Sequence, residues 1–360
     1  MAVLPPGVRP VDNPPNRFSR EEIEYLDGLL DEDGDETFAK VARLQVFEDT
    51  TRNILASNDS PDLGFDWSVN PYRGCFHACS YCYARPSHEY LGFGAGTDFD
   101  RKIVVKPNAP ELLREAFDKP SWKGDFVLFS GVTDCYQPLE ASYRITRGCL
   151  EVCAAYRNPC GIITKAPLIE RDLDVLIELS KVTDVSVTLS IPLWDVDKAR
   201  AVEPSVATPQ RRMRTVEALA RAGITVGVNV APLIPGLSDE DIPQILRAAK
   251  DAGASRANTV FLRLPGSVAP VFEERLRKYL PMRADKVMRR VREARGGKLN
   301  DATFGKRQSG EGPYAAAALE LFHRTAKQLG LERGASTDAP DRPTTFRRPP
   351  KRGDQLGLFG

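Results

Sequence analysis

Short apolar runs alternate with longer amphipathic stretches between about residue 65 and residue 266. The strand-like apolar runs occur at residues 65–69, 126–129, 161–164, 185–190, 225–230 and 259–264. Helix-like stretches lie between them at residues 110–117, 139–156, 171–181, 209–222 and 239–252. Six strand–helix units of this kind are typical of a parallel sheet with helices outside it. The pattern predicts an α/β fold, an open partial (β/α)6 barrel whose reactive groups lie at the C-terminal ends of the strands.

The two ends of the chain depart from this alternation. Residues 1–64 predict an N-terminal extension, with an aperiodic Pro-rich arm, a capped helix that begins at Ser19, and a solvated acidic loop at residues 31–36. Beyond the barrel at residues 65–266, we expect a helical extension over residues 267–332. Its helices are predicted at residues 271–280, 284–294 and 314–329. Residues 333–360 predict a disordered basic tail.

Composition narrows the class of protein. A chain of 360 residues is long enough for one catalytic domain with added segments. Lys plus Arg number 50 and Asp plus Glu number 49, so whole-chain charge does not indicate nucleic-acid binding. Neither a signal-peptide pattern nor an apolar run of membrane-spanning length occurs. Seven cysteines, an odd number with a tight cluster, favour metal ligation in a reducing cytoplasm over disulfides.

Three of the cysteines form a C-x3-C-x2-C array directly after the first predicted strand. Cys75, Cys79 and Cys82 lie in the segment VNPYRGCFHACSYCYARPSHEY, residues 69–90. Thiolates are soft ligands that suit iron–sulfur clusters and zinc, and three of them leave one iron of a four-iron cluster open. The alternative is a zinc site with His77 or His88 as the fourth ligand. The three-residue gap between Cys75 and Cys79 is unlike common zinc knuckles, which favours the cluster.

The array, with Tyr83 after its last cysteine, resembles the radical S-adenosylmethionine (SAM) superfamily. The segments NPYRGC, YCYARPSHEYLG, TDCYQPLE and ITKAPLIERDLDVL resemble the spore photoproduct lyase-like group within it, and the likeness covers residues 53–265. It implies a [4Fe-4S] cluster on the three cysteines, SAM on the open iron, cleavage of SAM to a 5′-deoxyadenosyl radical, and an electron donor such as flavodoxin or ferredoxin. The sequence departs from the family at Ala78, where a glycine is common.

The resemblance also implies roles for residues at the other strand ends. It assigns SAM contacts to Thr133, Asp134, Lys165, Ser190, Arg212 and Asn229. Four of them have a simpler alternative: Asp134 as a helix N-cap, Lys165 reaching solvent, Asn229 bonding its own loop, and Arg211 in place of Arg212. Tyr83 is either a radical relay or a core aromatic residue.

The remaining cysteines divide into one catalytic candidate and a core group. Cys135 is either a hydrogen donor to a product radical or a small buried thiol. Cys149 and Cys153 lie four residues apart on an apolar helix face, and we predict that they and Cys160 belong to the core.

Two features bear on the substrate and partners. The resemblance suggests damaged DNA, with Arg289, Arg290 and residues 347–352 as candidate phosphate contacts or solvated charges. The terminal Q-L-x-L-F pattern resembles the bacterial sliding-clamp-binding peptide, and its residues are Gln355, Leu356, Leu358 and Phe359. The alternatives are a radical SAM enzyme acting on RNA, protein or a small molecule, or a non-catalytic, metal-stabilised adaptor that brings partners to the clamp.

Overall fold

A computed structural model describes residues 44–333 and 344–350. The predicted helix at Ser19, the acidic loop and the terminal peptide at residues 355–359 lie outside these residues. The strands are β1 Gln45–Glu48, β2 Leu55–Ser57, β3 Trp67–Val69, β4 Tyr72–Arg73, β5 Lys102–Val105, β6 Val127–Phe129, β7 Cys160–Thr164, β8 Val185–Ser190, β9 Thr225–Leu233, β10 Arg256–Phe261 and β11 Glu332–Arg333.

The helices alternate with the strands of the main sheet, as predicted. They are α1 Thr97–Arg101, α2 Ala109–Asp118, α3 Glu140–Tyr143, α4 Ile145–Tyr156, α5 Leu173–Val182, α6 Val196–Val202, α7 Pro209–Arg221, α8 Ile242–Asp251, α9 Val268–Tyr279, α10 Pro281–Glu293 and α11 Gly312–Gln328. Short 3₁₀ turns occupy Arg85–Leu91, Pro167–Asp172 and Asp239–Asp241.

The main sheet has the order β11-β10-β9-β8-β7-β6-β3-β2. Strands β3 and β6 to β10 are parallel and in sequence order, which confirms the six predicted strand–helix units. Strand β11 adds a further parallel strand at one edge, and β2 pairs antiparallel with β3 at the other. A second, small sheet of order β1-β5-β4 lies beside the cysteine loop and was not predicted.

The barrel core forms between the sheet and the helices. The alternate residues Val187 and Leu189 of β8 and Val226 and Val228 of β9 are almost completely buried. Cys149, Cys153 and Cys160 belong to the same apolar cluster, which confirms that they are core residues. Within the described chain, no helix is long and apolar enough to cross a membrane.

Several element boundaries differ from the sequence predictions. The helix predicted over residues 139–156 is split into α3 and α4, because Arg144 adopts a left-handed φ of 51°. Strand β9 continues to Leu233, so Asn229 lies within the strand and not at its end. The sixth parallel strand ends at Phe261, three residues earlier than expected. Helix α6 was not predicted; Asp195 caps it by accepting a hydrogen bond from Lys198 N at 2.9 Å.

The segment 344–350 packs on the barrel although the sequence predicts disorder for that region. Phe346 contacts the rings of Phe117 and Tyr156, with centroid distances of 6.0 and 6.1 Å. Arg348 donates hydrogen bonds to the carbonyl oxygens of Phe117, Lys119 and Trp122. These contacts place the segment near the N-terminal ends of β6 to β8, away from the cysteine loop.

Candidate active site

A cavity of about 420 Å³ opens at the C-terminal ends of the parallel strands. Each strand of the barrel contributes to its wall through the loop that follows it, or through its last residues. The predicted site residues that line it are Cys75, Cys79, Cys82, Tyr83, Thr133, Asp134, Lys165, Ser190 and Asn229. The structure therefore brings together most of the side chains that the sequence selected, and it leaves Arg212 and Cys135 outside the cavity wall.

The cysteine loop is a series of tight turns fixed from both sides. Cys75 N donates to Phe99 O at 2.9 Å, and Cys82 N donates to Cys79 O at 3.2 Å. The loop requires left-handed backbone at Gly74, with φ 77°, and at Ala78, with φ 55°. A Cβ at Gly74 would also come within 3.0 Å of a side-chain atom of His88 and of Ile103. Gly74 is thus required by the turn and its neighbours.

Arg85 anchors the cysteine loop and was missed by the sequence analysis. Its guanidinium is almost completely buried and donates to Cys79 O at 3.0 Å and to Ala78 O at 3.1 Å. It also forms an ion pair with Asp100 at 2.8 Å. Because its donors bind the carbonyl oxygens of Ala78 and Cys79, Arg85 fixes the shape of the cysteine loop. The YCYARP segment contained this residue, but only the fold shows what it contacts.

The chemistry of the three thiols fits an iron–sulfur cluster. All three cysteines face the same cavity. Burial raises the pKa of Cys82 and raises that of Cys79 to about 12, and binding of a cationic metal centre would favour the ionised thiolates. Of the two imidazoles named in the zinc alternative, only His77 lines the cavity, and each has a contact at one ring nitrogen. His77 Nδ1 lies 3.2 Å from Asp134 Oδ2, and His88 Nε2 lies 2.9 Å from Lys102 O.

Asp134 joins two strand ends. Its carboxylate accepts hydrogen bonds from Tyr136 N at 2.9 Å, Thr164 Oγ1 at 2.7 Å and Lys165 N at 2.8 Å. Burial opposes its ionisation, but His77 and these donors lower the pKa of Asp134 to about 2. Asp134 is therefore an anion in the wall. It closes a turn through Tyr136 N and does not cap a helix, because the next helix begins at Glu140 with Leu139 as its N-cap.

Polar groups beside the cysteines have unused bonding capacity. Thr133 donates its hydroxyl to Tyr72 O at 2.7 Å, which leaves the oxygen lone pairs available. Oδ1 of Asn229 is buried and lacks a hydrogen-bond partner within residues 44–333 and 344–350. Burial opposes the charge on Lys165, but Cys79, Glu203 and Asp134 together raise the pKa of its ammonium group. The cavity thus offers a cation and acceptors next to the thiols, as an amino-acid ligand requires.

Arg212 supports the site from behind. It donates to Ser190 O at 2.6 Å and forms a fully buried ion pair with Glu203 at 2.7 Å. Glu203 in turn accepts a hydrogen bond from Tyr81 OH, so Arg212 connects the end of β8 to the cysteine loop. The neighbouring Arg211 pairs with Glu170 at 2.7 Å. Arg212 is therefore the arginine next to the site, and its contact with the SAM carboxylate stays a prediction.

The two candidate radical residues occupy different positions. Tyr83 lines the cavity mouth, is 50% exposed, and donates its hydroxyl to Gly131 O. Cys135 is fully buried, and its N–H donates to Ser130 Oγ at 2.8 Å. Ser130 lines the cavity and adopts a left-handed φ of 75°. Ser130 therefore lies on the cavity side of Cys135.

Residues outside the predicted barrel also line the cavity. Leu63 precedes it, and Arg307 and Gln308 follow α10 by more than ten residues. Arg307 forms an ion pair with Asp62, with Nε 2.7 Å from Oδ2, so the two extensions meet at the cavity mouth. Neither Arg307 nor Asp62 belongs to a periodic pattern, and the sequence carried no signal for either residue.

Comparison with known proteins agrees with this geometry. A family model described as the radical SAM superfamily matches residues 69–249, half of the chain. The chain belongs to the radical SAM superfamily, whose members are enzymes that use a [4Fe-4S] cluster and SAM.

Two curated proteins are similar to this chain in sequence. An uncharacterised protein of Mycobacterium tuberculosis is 42% identical over 207 residues, which are 57% of this chain and 61% of the relative. The chain therefore spans about three fifths of the curated relative. A protein named radical SAM Nα-GlyT isomerase, from a Pseudomonas phage, is 23% identical over 79% of this chain and 56% of its own length.

A solved structure shows the same fold over most of the chain. Spore photoproduct lyase complexed with dinucleoside spore photoproduct superposes with a TM-score of 0.55 and 15% identity. The superposition covers 80% of this chain and 81% of the lyase.

Proposed function

We propose that this protein is a radical SAM enzyme that acts on damaged DNA, with its cluster on Cys75, Cys79 and Cys82. The observation that carries the proposal is that the three thiols line the same cavity as Lys165, Ser190 and Asn229. The three cysteines would hold the cluster, which when bound would supply the one electron for cleavage of SAM to methionine and a 5′-deoxyadenosyl radical. The residues themselves position SAM: the Lys165 ammonium attracts its carboxylate, and Asn229 Oδ1 accepts from its ribose or adenine.

The cavity wall supports radical chemistry by excluding water. Tyr83 closes part of the mouth through its hydrogen bond to Gly131 O. Leu128, Ile163 and Phe261 supply apolar surface to the wall. A reactive group formed inside is thereby kept from side reactions with solvent.

Reconstitution under anaerobic conditions tests the chemistry. We expect about four irons per chain and release of 5′-deoxyadenosine and methionine when a reductant and SAM are added. Cys79→Ala should lose iron and SAM cleavage, whereas Cys153→Ala, a buried cysteine outside the cavity, should retain both. Zinc in place of iron, or a wild type that releases neither product, would contradict the proposal and favour the adaptor alternative.

The choice of DNA as substrate rests on the likeness to spore photoproduct lyase and on the clamp-binding-like peptide at residues 355–359. The lyase with which the fold superposes is complexed with a dinucleoside spore photoproduct. The assay is therefore repeated with ultraviolet-irradiated and undamaged DNA. Faster turnover, or hydrogen exchange, with the irradiated DNA alone would support repair. A response to RNA, protein or a small molecule instead would move the substrate to that class.

We further propose that the terminal peptide recruits the enzyme to a bacterial sliding clamp, while a flavodoxin or ferredoxin supplies electrons. The support is the pattern of Gln355, Leu356, Leu358 and Phe359, whose apolar side chains suit a preformed groove. Phe359→Ala should abolish clamp binding in a titration, and Arg352→Ala, just outside the pattern, should not. Failure of the intact chain to bind the clamp would remove this partner.

A further inference from the structure

One arginine of the cavity differs from the others in its partners. Arg263 follows strand β10 between two buried leucines, lines the cavity and is half-buried. Within residues 44–333 and 344–350, no carboxylate lies within ion-pair distance of it. Its guanidinium lies 5.5 Å from the centroid of the Tyr83 ring. Burial, reinforced by the nearby charge of Arg307, lowers the pKa of Arg263. A half-buried cation in this state is stabilised by an incoming anion.

The neighbouring arginines already have carboxylate partners. Arg307 pairs with Asp62, Arg85 with Asp100, and Arg212 with Glu203. Their charges are neutralised within the protein, and they hold loops in place. Arg263 therefore has a capacity to bind an anion that these arginines lack.

The backbone around Arg263 is held rigidly. Leu262 N donates to Leu233 O at 3.0 Å, and Leu264 N donates to Leu299 O at 2.9 Å. From the other side, the buried Arg295 donates to Phe261 O at 2.9 Å and to Leu262 O at 3.0 Å. A charge carried on such a fixed backbone loses little freedom on binding, so the position is organised before a ligand arrives.

Arg263 also lies apart from the group best placed for the SAM carboxylate. Lys165 lies beside the cysteine loop, with its Nζ 5.9 Å from the centroid of the Tyr81 ring. The charged groups that act on Arg263 are instead Arg307, Tyr83 and Asp62, at the cavity mouth. The two cations therefore serve different parts of the cavity.

We propose that Arg263 binds a backbone phosphate of the nucleic-acid substrate at the cavity mouth, beside Tyr83. The inference rests on the proposed function, because it takes the substrate to be DNA. An arginine guanidinium matches phosphate through paired N–H donors, and an aromatic ring next to it is a surface on which a base stacks. Phosphate binding at the mouth would hold the nucleotide strand while a base enters the cavity.

The alternative phosphate-contacting residues named from the sequence are less suited. Arg289 is exposed and pairs with Glu293 at 3.6 Å. Arg290 lies over the ring of Tyr314, 3.6 Å from its centroid. Neither lines the cavity, so Arg289→Gln is a matched control for a charge lost elsewhere on the surface.

The test is binding of a fluorescein-labelled single-stranded oligothymidylate to the reconstituted protein, measured by anisotropy over a range of salt concentrations. For Arg263→Gln we expect roughly tenfold weaker binding and a salt slope reduced by about 0.7, the loss of one phosphate contact. Arg263→Lys should recover part of the affinity, and Arg289→Gln should match the wild type. A methylphosphonate oligomer, whose backbone is neutral, should bind the wild type and Arg263→Gln equally.

Several results would overturn the inference. They are no oligonucleotide binding by the wild type at low salt, an unchanged affinity and salt slope in Arg263→Gln, or an equal loss in Arg289→Gln. SAM affinity is measured in parallel, and its loss in Arg263→Gln would assign the residue to SAM instead. A wild type that binds oligonucleotide through Arg263 but cleaves no SAM would refute the proposed function alone.

Discussion

At the scale of single residues, the cysteine loop depends on backbone conformations as much as on its thiols. Ala78 adopts a left-handed φ of 55°, a conformation that carries a steric penalty of about 1–2 kcal/mol for a residue with a Cβ. The sequence showed that alanine replaces the family's common glycine here, and the structure shows that the turn is kept all the same. The hydrogen bond from Ala78 N to Cys75 O, at 3.2 Å, helps to hold it.

Asp100 gives the cysteine loop a predicted pH dependence. Burial raises its pKa from an ordinary value of 3.8 to about 6, in spite of the ion pair with Arg85. Because the folded chain binds this proton more tightly than the unfolded chain does, the stabilisation is complete below the unfolded pKa and is lost as pH rises through about 6.

The test compares the wild type with Asp100→Asn, which carries no titrating group at this position. Between about pH 5 and about pH 7.5 the wild type should lose roughly 1 kcal/mol of unfolding free energy relative to the variant. Thermal unfolding of the reconstituted protein at the two pH values measures the difference. Parallel changes in the two proteins would show that Asp100 does not titrate in this range.

At the scale of elements, the segment 344–350 is held against the barrel by one aromatic side chain and one arginine. A Cβ at Gly124, with φ 89°, would lie 2.2 Å from Phe346 Cβ, so glycine permits the close approach. Thr345 adds a hydroxyl contact with Thr183 at 2.6 Å. The sequence indicated disorder here because Pro and Arg dominate the composition; the surface of Phe117 and Tyr156, which receives Phe346, is formed only in the folded barrel.

Phe346→Ala should release this segment from the barrel. Loss of the ring from contact with Phe117 and Tyr156 is expected to reduce the unfolding free energy by about 1–3 kcal/mol and to increase hydrogen exchange at residues 344–350. Arg347→Ala is the control, since the side chain of Arg347 is exposed. Equal effects of the two substitutions would argue against Phe346 as the anchor.

At the scale of the whole molecule, the cavity is assembled from the barrel and both flanking regions. Arg295, after α10, is buried and donates to the carbonyl oxygens of Phe261, Leu262, Lys306, Arg307 and Ser309. This one side chain connects the end of β10 to the loop that carries Arg307 and Gln308 into the cavity wall. The helical extension is therefore part of the site and not an appendage to it.

Arg295→Met should detach that loop while it retains much of the side-chain volume. The carbonyl oxygens would lose their donor inside the protein, and a loss of about 3 kcal/mol or more in unfolding free energy is expected. Hydrogen exchange should rise at residues 299–309 and stay unchanged at β8. Lys298→Met, at an exposed neighbouring position, should have little effect on either measurement; if it matched Arg295→Met, the carbonyl contacts would not be the cause.

The sequence alone predicted the fold class and selected the candidate cluster ligands, because both depend on local order along the chain. Apolar periodicity reports strands and helices directly, and the spacing of Cys75, Cys79 and Cys82 places three thiols in one loop. The residues that follow successive strands could also be selected, since parallel strands bring their C-terminal ends to one edge.

The tertiary structure decided which of those residues reach the cavity and what else completes it. Cys135 follows a strand end as Lys165 does, and Arg212 lies in helix α7, yet the packing buries both behind Ser130 and Ser190. Arg307 and Asp62 were found only because distant segments meet at the cavity mouth. Their contacts span nearly 250 positions of the chain, and a pattern read along the sequence carries no information about which side chains meet over such a separation.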